Sequence, residues 1–224
     1  MGRERAGRFL VEGAQAVREA LAYGRVHEVF ATEAALDRHA DLLADAPVYP
    51  VTDEAAAALS ETVTPQGLVA VCDLLDVPLA EALGPRPRLV AVCAGIADPG
   101  NAGTVIRVAD AAGADAVVLA GDTVDPHNGK AVRASTGSVF HLPLARERDA
   151  LAAVGELDLH DPAAAAVLGG PVAWIFGGEA HGVPAAIAAL ADHRVRVPIH
   201  GRAESLNLAT AAAICLYASV AARR

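Results

Sequence analysis

Cysteine, lysine and aromatic residues are scarce in this 224-residue sequence. Cys72, Cys93 and Cys215 lie far apart in apolar stretches, which predicts buried thiols in a reducing compartment rather than a disulfide framework. The eight histidines form no HExxH or Cys/His cluster, so we expect no metal site. The N-terminus lacks the apolar core of a signal peptide, and the apolar stretch near the C-terminus contains Ser, Asn and Thr, which favours a buried helix over a membrane span. We therefore expect a soluble, cytoplasmic protein with no membrane partner.

Positive charge is also scarce, since the formal net charge is −9. This balance argues against a generic nucleic-acid-binding protein, because contacts to phosphates need Lys and Arg. The distribution weakens that argument. Lys130 is the only lysine, and arginines, which make bidentate phosphate contacts and stack on bases, crowd the N-terminus. From charge alone, the sequence favours a solvated acidic protein with ordinary surface arginines.

Two successive alternations of helix and strand patterns predict an α/β fold in two domains. Residues 1–75 form the first alternation, which indicates a small α/β domain. Residues 76–88, DVPLAEALGPRPR, carry three prolines and a glycine, so we interpret them as a linker. Residues 89–224 contain the apolar runs LVAVCAG, DAVVLAG, SVFHLPL, VAWIFGG and HRVRVPI, and a long helix closes the chain. Strands with so little polar alternation predict a parallel sheet covered on both faces.

The turn in residues 98–107, DPGNAGTVIR, follows the first of these apolar runs and opens a helix. It has neither the G-x-G-x-x-G of dinucleotide-binding proteins nor a Walker A lysine. Asn101 stands where a helix cap would stand, and Gly103, Arg107 and Asp110 share one helix face, with Gly103 leaving space one turn before the guanidinium. A capped helix with an exposed Arg–Asp pair would explain each residue singly. Together they place an arginine and an amide at the C-terminal edge of a parallel sheet, where ligands bind.

The second motif, VAWIFGGEAHGVP, spans residues 172–184. A strand runs into Gly177 and Gly178, and Glu179 follows directly. Paired glycines after a strand allow the backbone to approach a ligand closely, although a plain tight turn would also use them. Glu179 is either a carboxylate at a helix N-terminus or a site residue.

The third motif, RVPIHGRAESLNLATAAAICLY, spans residues 196–217. Ser205 is a good candidate for the N-cap of the long helix that follows. Asn207 would then lie in the first turn of an otherwise apolar helix, where a buried amide needs hydrogen-bond partners. Ser205 and Asn207 beside the unpaired backbone N–H groups would form a polar socket.

These segments resemble a known family. DPGNAGTVIRVADAAGADAVVL, IFGGEAHGVP and VPIHGRAESLNLATAAAICLY are similar to the three motifs of SpoU-type (TrmH-like) RNA 2′-O-ribose methyltransferases of the SPOUT superfamily, and NGKAVRASTGSVFHLPL resembles their Lys–Ala–Ser–Gly segment. RFLVEGAQAVREAL and PQGLVAVCDLL look like the small ribosomal-protein-like RNA-binding domain of many members, so the resemblance covers nearly the whole chain. One departure is Gly178, where the family often has Asn or Ala. Glycine cannot supply a side-chain contact, but its backbone can still serve the cofactor.

The resemblance implies a SPOUT parallel-sheet domain with a deep trefoil knot near the C-terminus and an active site completed across a homodimer. It implies that S-adenosylmethionine binds in the knot loops, mostly through backbone atoms, at Gly177, Gly178, Val197, Ile199 and Leu206. It places the catalytic residues at Arg107, Asn101, Glu179, Ser205 and Asn207. The RNA substrate would be rRNA in preference to tRNA.

The proposed family mechanism makes the arginine a base, but a guanidinium stays protonated in proteins. We therefore expect Arg107 to bind the phosphate next to the target ribose, while a neighbouring group or water takes the hydroxyl proton. Residues 1–75 hold six Arg against twelve Asp and Glu, so RNA contacts there should fall to arginines such as Arg8 and Arg18. Two alternatives remain: a non-catalytic RNA-binding or assembly protein that retains the fold, and a Rossmann-type oxidoreductase, which lacks its fingerprint.

Overall fold

The structure, a computed structural model, describes residues 2–147, 156–159, 162–178 and 182–223. The helices are α1 (Gly2–Ala6), α2 (Ala14–Tyr23), α3 (Glu33–Arg38), α4 (Ala40–Leu43), α5 (Asp53–Leu59), α6 (Leu79–Leu83), α7 (Pro99–Ala111), α8 (Gly129–Ser135), α9 (Pro162–Leu168), α10 (Ala185–Ala188) and α11 (Leu208–Ala222), with a 3-10 helix at Ser138–Phe140. The strands are β1 (Arg8–Glu12), β2 (Val26–Ala31), β3 (Val48–Pro50), β4 (Leu68–Asp73), β5 (Leu89–Ala94), β6 (Ala116–Ala120), β7 (Leu144–Glu147), β8 (Glu156–Asp158), β9 (Val172–Gly177) and β10 (Arg194–Arg196). No helix among these residues combines the length and apolar composition needed to cross a membrane.

The N-terminal part of the chain folds around a mixed sheet with the strand order β1-β4-β2-β3. Strand β4 pairs antiparallel with both β1 and β2, while β2 and β3 are parallel. Helix α2 buries Ala16, Val17 and Ala20 against this sheet and ends at Gly24, whose N–H returns to the Ala20 carbonyl. Threonine caps open α3 and α5, because a side-chain oxygen there accepts an otherwise unpaired backbone N–H.

The second sheet is fully parallel, with the order β7-β6-β5-β9. Strand β6 is buried at every position, and β5 at all but one, as the continuous apolar runs predict. The predicted α/β fold with a parallel sheet is therefore confirmed. The register pairs Ala94 of β5 with Gly177 of β9, so the loops that follow these two strands leave the same edge of the sheet.

Three elements differ from the sequence-based expectation. The run SVFHLPL begins with the 3-10 helix, and β7 starts only at Leu144, directly after Pro143, which cannot donate to a strand ladder. The run HRVRVPI forms β10, which pairs with β8 in a separate two-stranded sheet. The predicted linker contains α6, whose Ala82 packs against Ala116 and Ala145 of the second sheet.

Gly103 lies where α7 crosses α8. A Cβ atom at this position would lie 2.2 Å from the carbonyl oxygen of Ala131 and 2.9 Å from the Cβ of Ala134. The glycine therefore permits close helix packing. The expectation that it leaves space for the Arg107 side chain was wrong, because Ala131 and Ala134 of α8 occupy that space.

Candidate active site

The loop after β5 leads into α7, and Asp98 caps this helix. Its Oδ1 accepts the backbone N–H of Asn101 at 2.9 Å, and its Oδ2 accepts Lys130 Nζ at 2.5 Å. These hydrogen bonds, led by the one from Lys130, hold the pKa of Asp98 below its usual value. The expectation that Asn101 caps the helix was therefore wrong. Pro99 occupies the first helical position, where its missing N–H costs nothing, and this places the cap at Asp98.

Asn207, from the third motif, caps α11. Its Oδ1 accepts the backbone N–H groups of Ala209 at 2.9 Å and Thr210 at 3.3 Å. The N-cap predicted at Ser205 is thus two residues too early, and Ser205 lies exposed in the preceding loop. Asn207 precedes the helix and is not in its first turn, as the sequence had suggested.

Asn101 and Asn207 contact each other. The Nδ2 of Asn207 donates to the Oδ1 of Asn101 at 3.2 Å, although the residues are 106 positions apart. One amide therefore caps α11 with its oxygen and reaches α7 with its nitrogen. This hydrogen bond joins the first and third motifs. From the sequence, we could predict only that both motifs lie at the same edge of the sheet.

Arg107 lies two turns further along α7, exposed, and its Nη1 donates to Thr136 Oγ1 at 3.2 Å. Six residues at about 1.5 Å rise each separate it from Asn101 by about 9 Å along the helix axis. Thr136 follows α8 with a φ of 53°, in the left-handed region that few non-glycine residues adopt. The Lys–Ala–Ser–Gly-like segment thus supplies the residue that orients the guanidinium.

The Arg107–Asp110 pair of the alternative, purely structural interpretation does not form. Asp110 Oδ2 instead lies 2.8 Å from Nδ1 of His141, while Nε2 of the same ring lies 3.2 Å from Glu19 on α2. Burial lowers the pKa of His141, but hydrogen bonds to these two carboxylates outweigh it and leave the pKa raised. The imidazole therefore bridges α7 to the N-terminal part of the chain and leaves Arg107 separate from Asp110.

The glycines of the second motif lie where two backbones meet. A Cβ at Gly178 would be 2.3 Å from the carbonyl oxygen of Gly95, and one at Gly177 would be 2.1 Å from the amide nitrogen of Val183. The N–H of Gly182 donates to the Gly178 carbonyl at 2.8 Å. The sequence predicted that these glycines allow the backbone to approach a ligand closely. The atoms that lie close to them in the structure are backbone atoms of Gly95 and Val183. Glu179 lies outside the described residues.

The loop between β10 and α11 carries the remaining predicted cofactor residues. Val197 is half-buried against the core, while Ile199 and Leu206 are exposed. Residues 199–206 form no backbone–backbone hydrogen bond within the described part of the chain. The loop therefore presents polar backbone groups beside two apolar side chains.

Several neighbours of these residues were not singled out from the sequence: Asp98, Thr136 and His141. Lys130 was noted for its rarity and lies in the segment that resembles the family's Lys–Ala–Ser–Gly segment, but its contact with the first motif was not predicted. Proline directly after Asp98 was an available signal for the cap, whereas nothing local predicts the contacts of Thr136 and His141. Among the described residues, no group of His, Cys, Asp and Glu is arranged to hold a metal ion.

Comparison with known proteins agrees with this arrangement. The sequence model of the SpoU rRNA Methylase family matches residues 88–217, and that of the MRM3-like substrate binding domain matches residues 1–70. The chain is 39% identical over 227 residues to the 23S rRNA (guanosine(2553)-2'-O)-methyltransferase RlmP of Bacillus subtilis. That match covers 96% of this chain and 89% of the relative.

Two solved structures share the fold. The SpoU methyltransferase AviRb from Streptomyces viridochromogenes in complex with AdoMet has a TM-score of 0.83 and 27% identity, covering 99% of this chain and 92% of that one. The AdoMet-bound rRNA methyltransferase from Sinorhizobium meliloti has a TM-score of 0.80 and 29% identity, covering 97% and 88%. The motif resemblance, the site geometry and these matches agree, and the chain belongs to the SpoU rRNA Methylase family.

Proposed function

We propose that this protein transfers the methyl group of S-adenosylmethionine to the 2′-hydroxyl of a ribose in structured RNA, with rRNA as the substrate. The Asn207–Asn101 hydrogen bond carries the proposal, because it brings two distant motifs together at the C-terminal edge of a parallel sheet, a usual ligand position. The Bacillus subtilis relative is named as a 23S rRNA 2'-O-methyltransferase, which supports the RNA class. Two structural neighbours are named as AdoMet-bound, which supports the methyl donor.

The loop residues fit the methyl donor. Residues 199–206 offer backbone N–H and C=O groups to a purine edge, while Ile199 and Leu206 offer apolar surface. Gly177, Gly178 and Val197 would supply further backbone contacts to the donor. S-adenosylmethionine would supply an electrophilic methyl group on its sulfonium. The protein residues then have to position the ribose and help the hydroxyl lose its proton.

Arg107 positions the ribose by binding the adjacent phosphate. Its guanidinium stays protonated, so it acts as a planar donor and leaves proton removal to a neighbouring group or water. Thr136 fixes the orientation of the guanidinium through the Nη1 hydrogen bond. Asn101 and Arg107 lie about 9 Å apart along α7. The bound nucleotide would therefore lie between the Asn101–Asn207 pair and the Arg107 guanidinium.

The proposal includes a trefoil knot formed by the loops around α11 and a homodimer. Helix α11 contains no charged residue, yet Tyr217 is 50% exposed and Ile214 is 37% exposed. Val167 of α9 is also an exposed apolar residue, and α9 packs on α11. A second copy of the chain would cover this face, as closed symmetric pairs do. Sedimentation equilibrium should give a dimer, and Ile214→Glu should shift it to the monomer; a monomeric wild type would contradict the homodimer.

The sheet of residues 8–73 would select the RNA, as the match to a substrate binding domain supports. We also retain residues 76–88 as the connection to the methyltransferase domain.

The three cysteines are buried and free, and burial raises the pKa of each thiol to about 12. Such inert thiols suit a reducing cytoplasm.

The experiment begins with calorimetric titration of S-adenosylmethionine into the wild type and Asn207→Ala. Unmodified 23S rRNA is then incubated with protein and methyl donor, and the product is mapped by alkaline hydrolysis, since a 2′-O-methyl group blocks cleavage at one position. We expect donor binding by the wild type and one resistant position. No donor binding and no methylation, even with RNA present, would instead support a non-catalytic RNA-binding protein.

A further inference from the structure

A cavity of about 520 Å³ opens between the N-terminal sheet and α8. Its walls come from α1, the outward face of β1, α5 and the first turn of α8. The Asn101–Asn207 pair is absent from its lining, so the cavity is separate from the candidate active site. Its volume lies within the range of small-ligand pockets, about 300–1,000 Å³.

The cavity has an apolar floor. Leu10 on β1 is 39% exposed and lines the cavity together with Ala58 and Leu59 of α5. Val71 of the neighbouring strand and the edge of Phe9 complete this floor. Apolar side chains can pack against the face of an unstacked base.

One wall is polar and already ordered. Glu12 accepts hydrogen bonds from Ser60 Oγ, from Thr62 Oγ1 at 2.7 Å and from Arg133 Nη1 at 3.2 Å. The network links β1, the segment after α5 and α8, so donors and acceptors stand at fixed positions before any ligand arrives. Arg8 lies exposed at the rim, where its guanidinium can meet a phosphate.

Helix α8 connects this cavity to the candidate active site. Gly129, its first residue, lines the cavity, and the next residue, Lys130, pairs with Asp98 at 2.5 Å. Asp98 in turn caps α7 at the backbone N–H of Asn101. Gly129, Lys130 and Asp98 therefore link the cavity lining to Asn101 through three contacting residues.

We propose that this cavity receives an unstacked nucleobase of the substrate RNA, near the methylated nucleotide in the strand. The inference rests on the proposed function for the class of substrate. An apolar floor, an ordered polar wall and a rim arginine match the face, the edge and the phosphate of one nucleotide. The base in the cavity anchors the strand, so that the neighbouring ribose is presented to Asn101 and Asn207 in one register.

The test fills the cavity from α5 and uses a matched control on the same helix. Ala58 lines the cavity, whereas Ala57 does not, and both are exposed. Ala58→Trp should weaken binding of a 23S rRNA transcript at least tenfold in a filter-binding assay, while Ala57→Trp should stay within twofold of the wild type. Both variants should bind S-adenosylmethionine as the wild type does. Leu10→Trp fills the cavity from the opposite wall and replaces Ala58→Trp if that variant fails to fold.

Direct binding separates the two proposals. Equal rRNA affinity in the folded cavity variants and the control would overturn the cavity assignment, even if the wild type methylates RNA. Weaker rRNA binding only in the cavity variants would support it, even where methylation is too slow to follow. A wild type that binds no rRNA would overturn both the cavity assignment and the choice of rRNA, while its titration with S-adenosylmethionine would still report on the donor site.

Discussion

The two functions of Asn207 can be separated by substitution. Its Oδ1 caps α11 through the N–H groups of Ala209 and Thr210, and its Nδ2 donates to Asn101. Asn207→Ala removes both interactions. Asn207→Asp keeps the capping oxygens but replaces the donor with a second acceptor, which faces the Asn101 oxygen.

The expected magnitudes differ between the two variants. Loss of an N-cap costs about 1 kcal/mol, and a net hydrogen bond between exposed side chains adds about 0.5 kcal/mol, so Asn207→Ala should lower the free energy of unfolding by about 1.5 kcal/mol. For a chain of this size, that corresponds to a fall in Tm of about 3–6 °C. A carboxylate at a helix N-terminus is favourable by about 0.3–1 kcal/mol, which offsets the lost contact to Asn101, so Asn207→Asp should melt close to the wild type.

Thermal unfolding and calorimetric titration with S-adenosylmethionine would be measured on both variants. We expect Asn207→Asp to be stable but to methylate RNA poorly, because the link between the first and third motifs is broken. Wild-type methylation by folded Asn207→Asp would refute the role of the Asn101–Asn207 contact. An unchanged Tm in Asn207→Ala would refute the capping argument.

Four further outcomes follow from the structure. Arg107→Lys keeps the charge but loses the planar fork, so methylation should fall about 10–100-fold with donor affinity unchanged, and full activity would exclude the bidentate role. Gly103→Ala would push a methyl group into α8 and should destabilise the protein by about 1–3 kcal/mol in urea unfolding; a neutral result would contradict the close packing. The pKa of His141 is raised in the folded state. The stabilisation that the charged imidazole contributes is therefore complete below the unfolded pKa of about 6.5 and is lost as pH rises through the folded pKa. The difference in Tm between pH 6 and pH 9 should be smaller in His141→Gln than in the wild type. Charge reversal at Arg8 and Arg18 should weaken rRNA binding and reduce the slope of log K against log salt by about 1 for each lost contact, and an unchanged slope would exclude both arginines.

Much of the site could be predicted because the motifs fall on loops after apolar runs. The parallel register of β5 and β9 then brings the first two motifs to one edge, as their strand patterns indicate. The caps were harder to predict, because Asp98 and Asn101 are both capable N-cap residues, as are Ser205 and Asn207. Pro99 resolves the first pair, but the second depends on the path of the chain before α11. The helix-capping propensity of single residues does not indicate that path.

Which strands pair with each other could also not be predicted from the sequence. The expected strand at HRVRVPI does form, but it pairs with β8, a three-residue strand. Strand pairing depends on packing against neighbouring strands, which the residues of one strand do not specify. Gly103 shows the same limit at one residue. Its spacing from Arg107 suggested a function in the site, whereas the carbonyl of Ala131 on another helix explains the glycine.

Ion pairs and hydrogen bonds join the two sheets at a junction. Arg3 pairs with Asp125 at 2.9 Å, and Arg133 pairs with Glu12 at 3.2 Å, so charges from the two parts of the chain meet across the junction. The Leu75 N–H donates to Nε2 of buried His127, and Nδ1 of the same ring lies 3.2 Å from Asp125 Oδ1.

These contacts bear on the proposed binding of RNA. Arginines that pair with carboxylates inside the junction are not available to phosphates, so contacts to RNA would fall to exposed arginines such as Arg8 and Arg107. Because Phe9 packs on His127 with ring centroids 4.7 Å apart, the N-terminal sheet cannot shift without disturbing the core. Under the proposed function, this packing would hold an RNA bound at Arg8 at a fixed distance from Asn101 and Asn207.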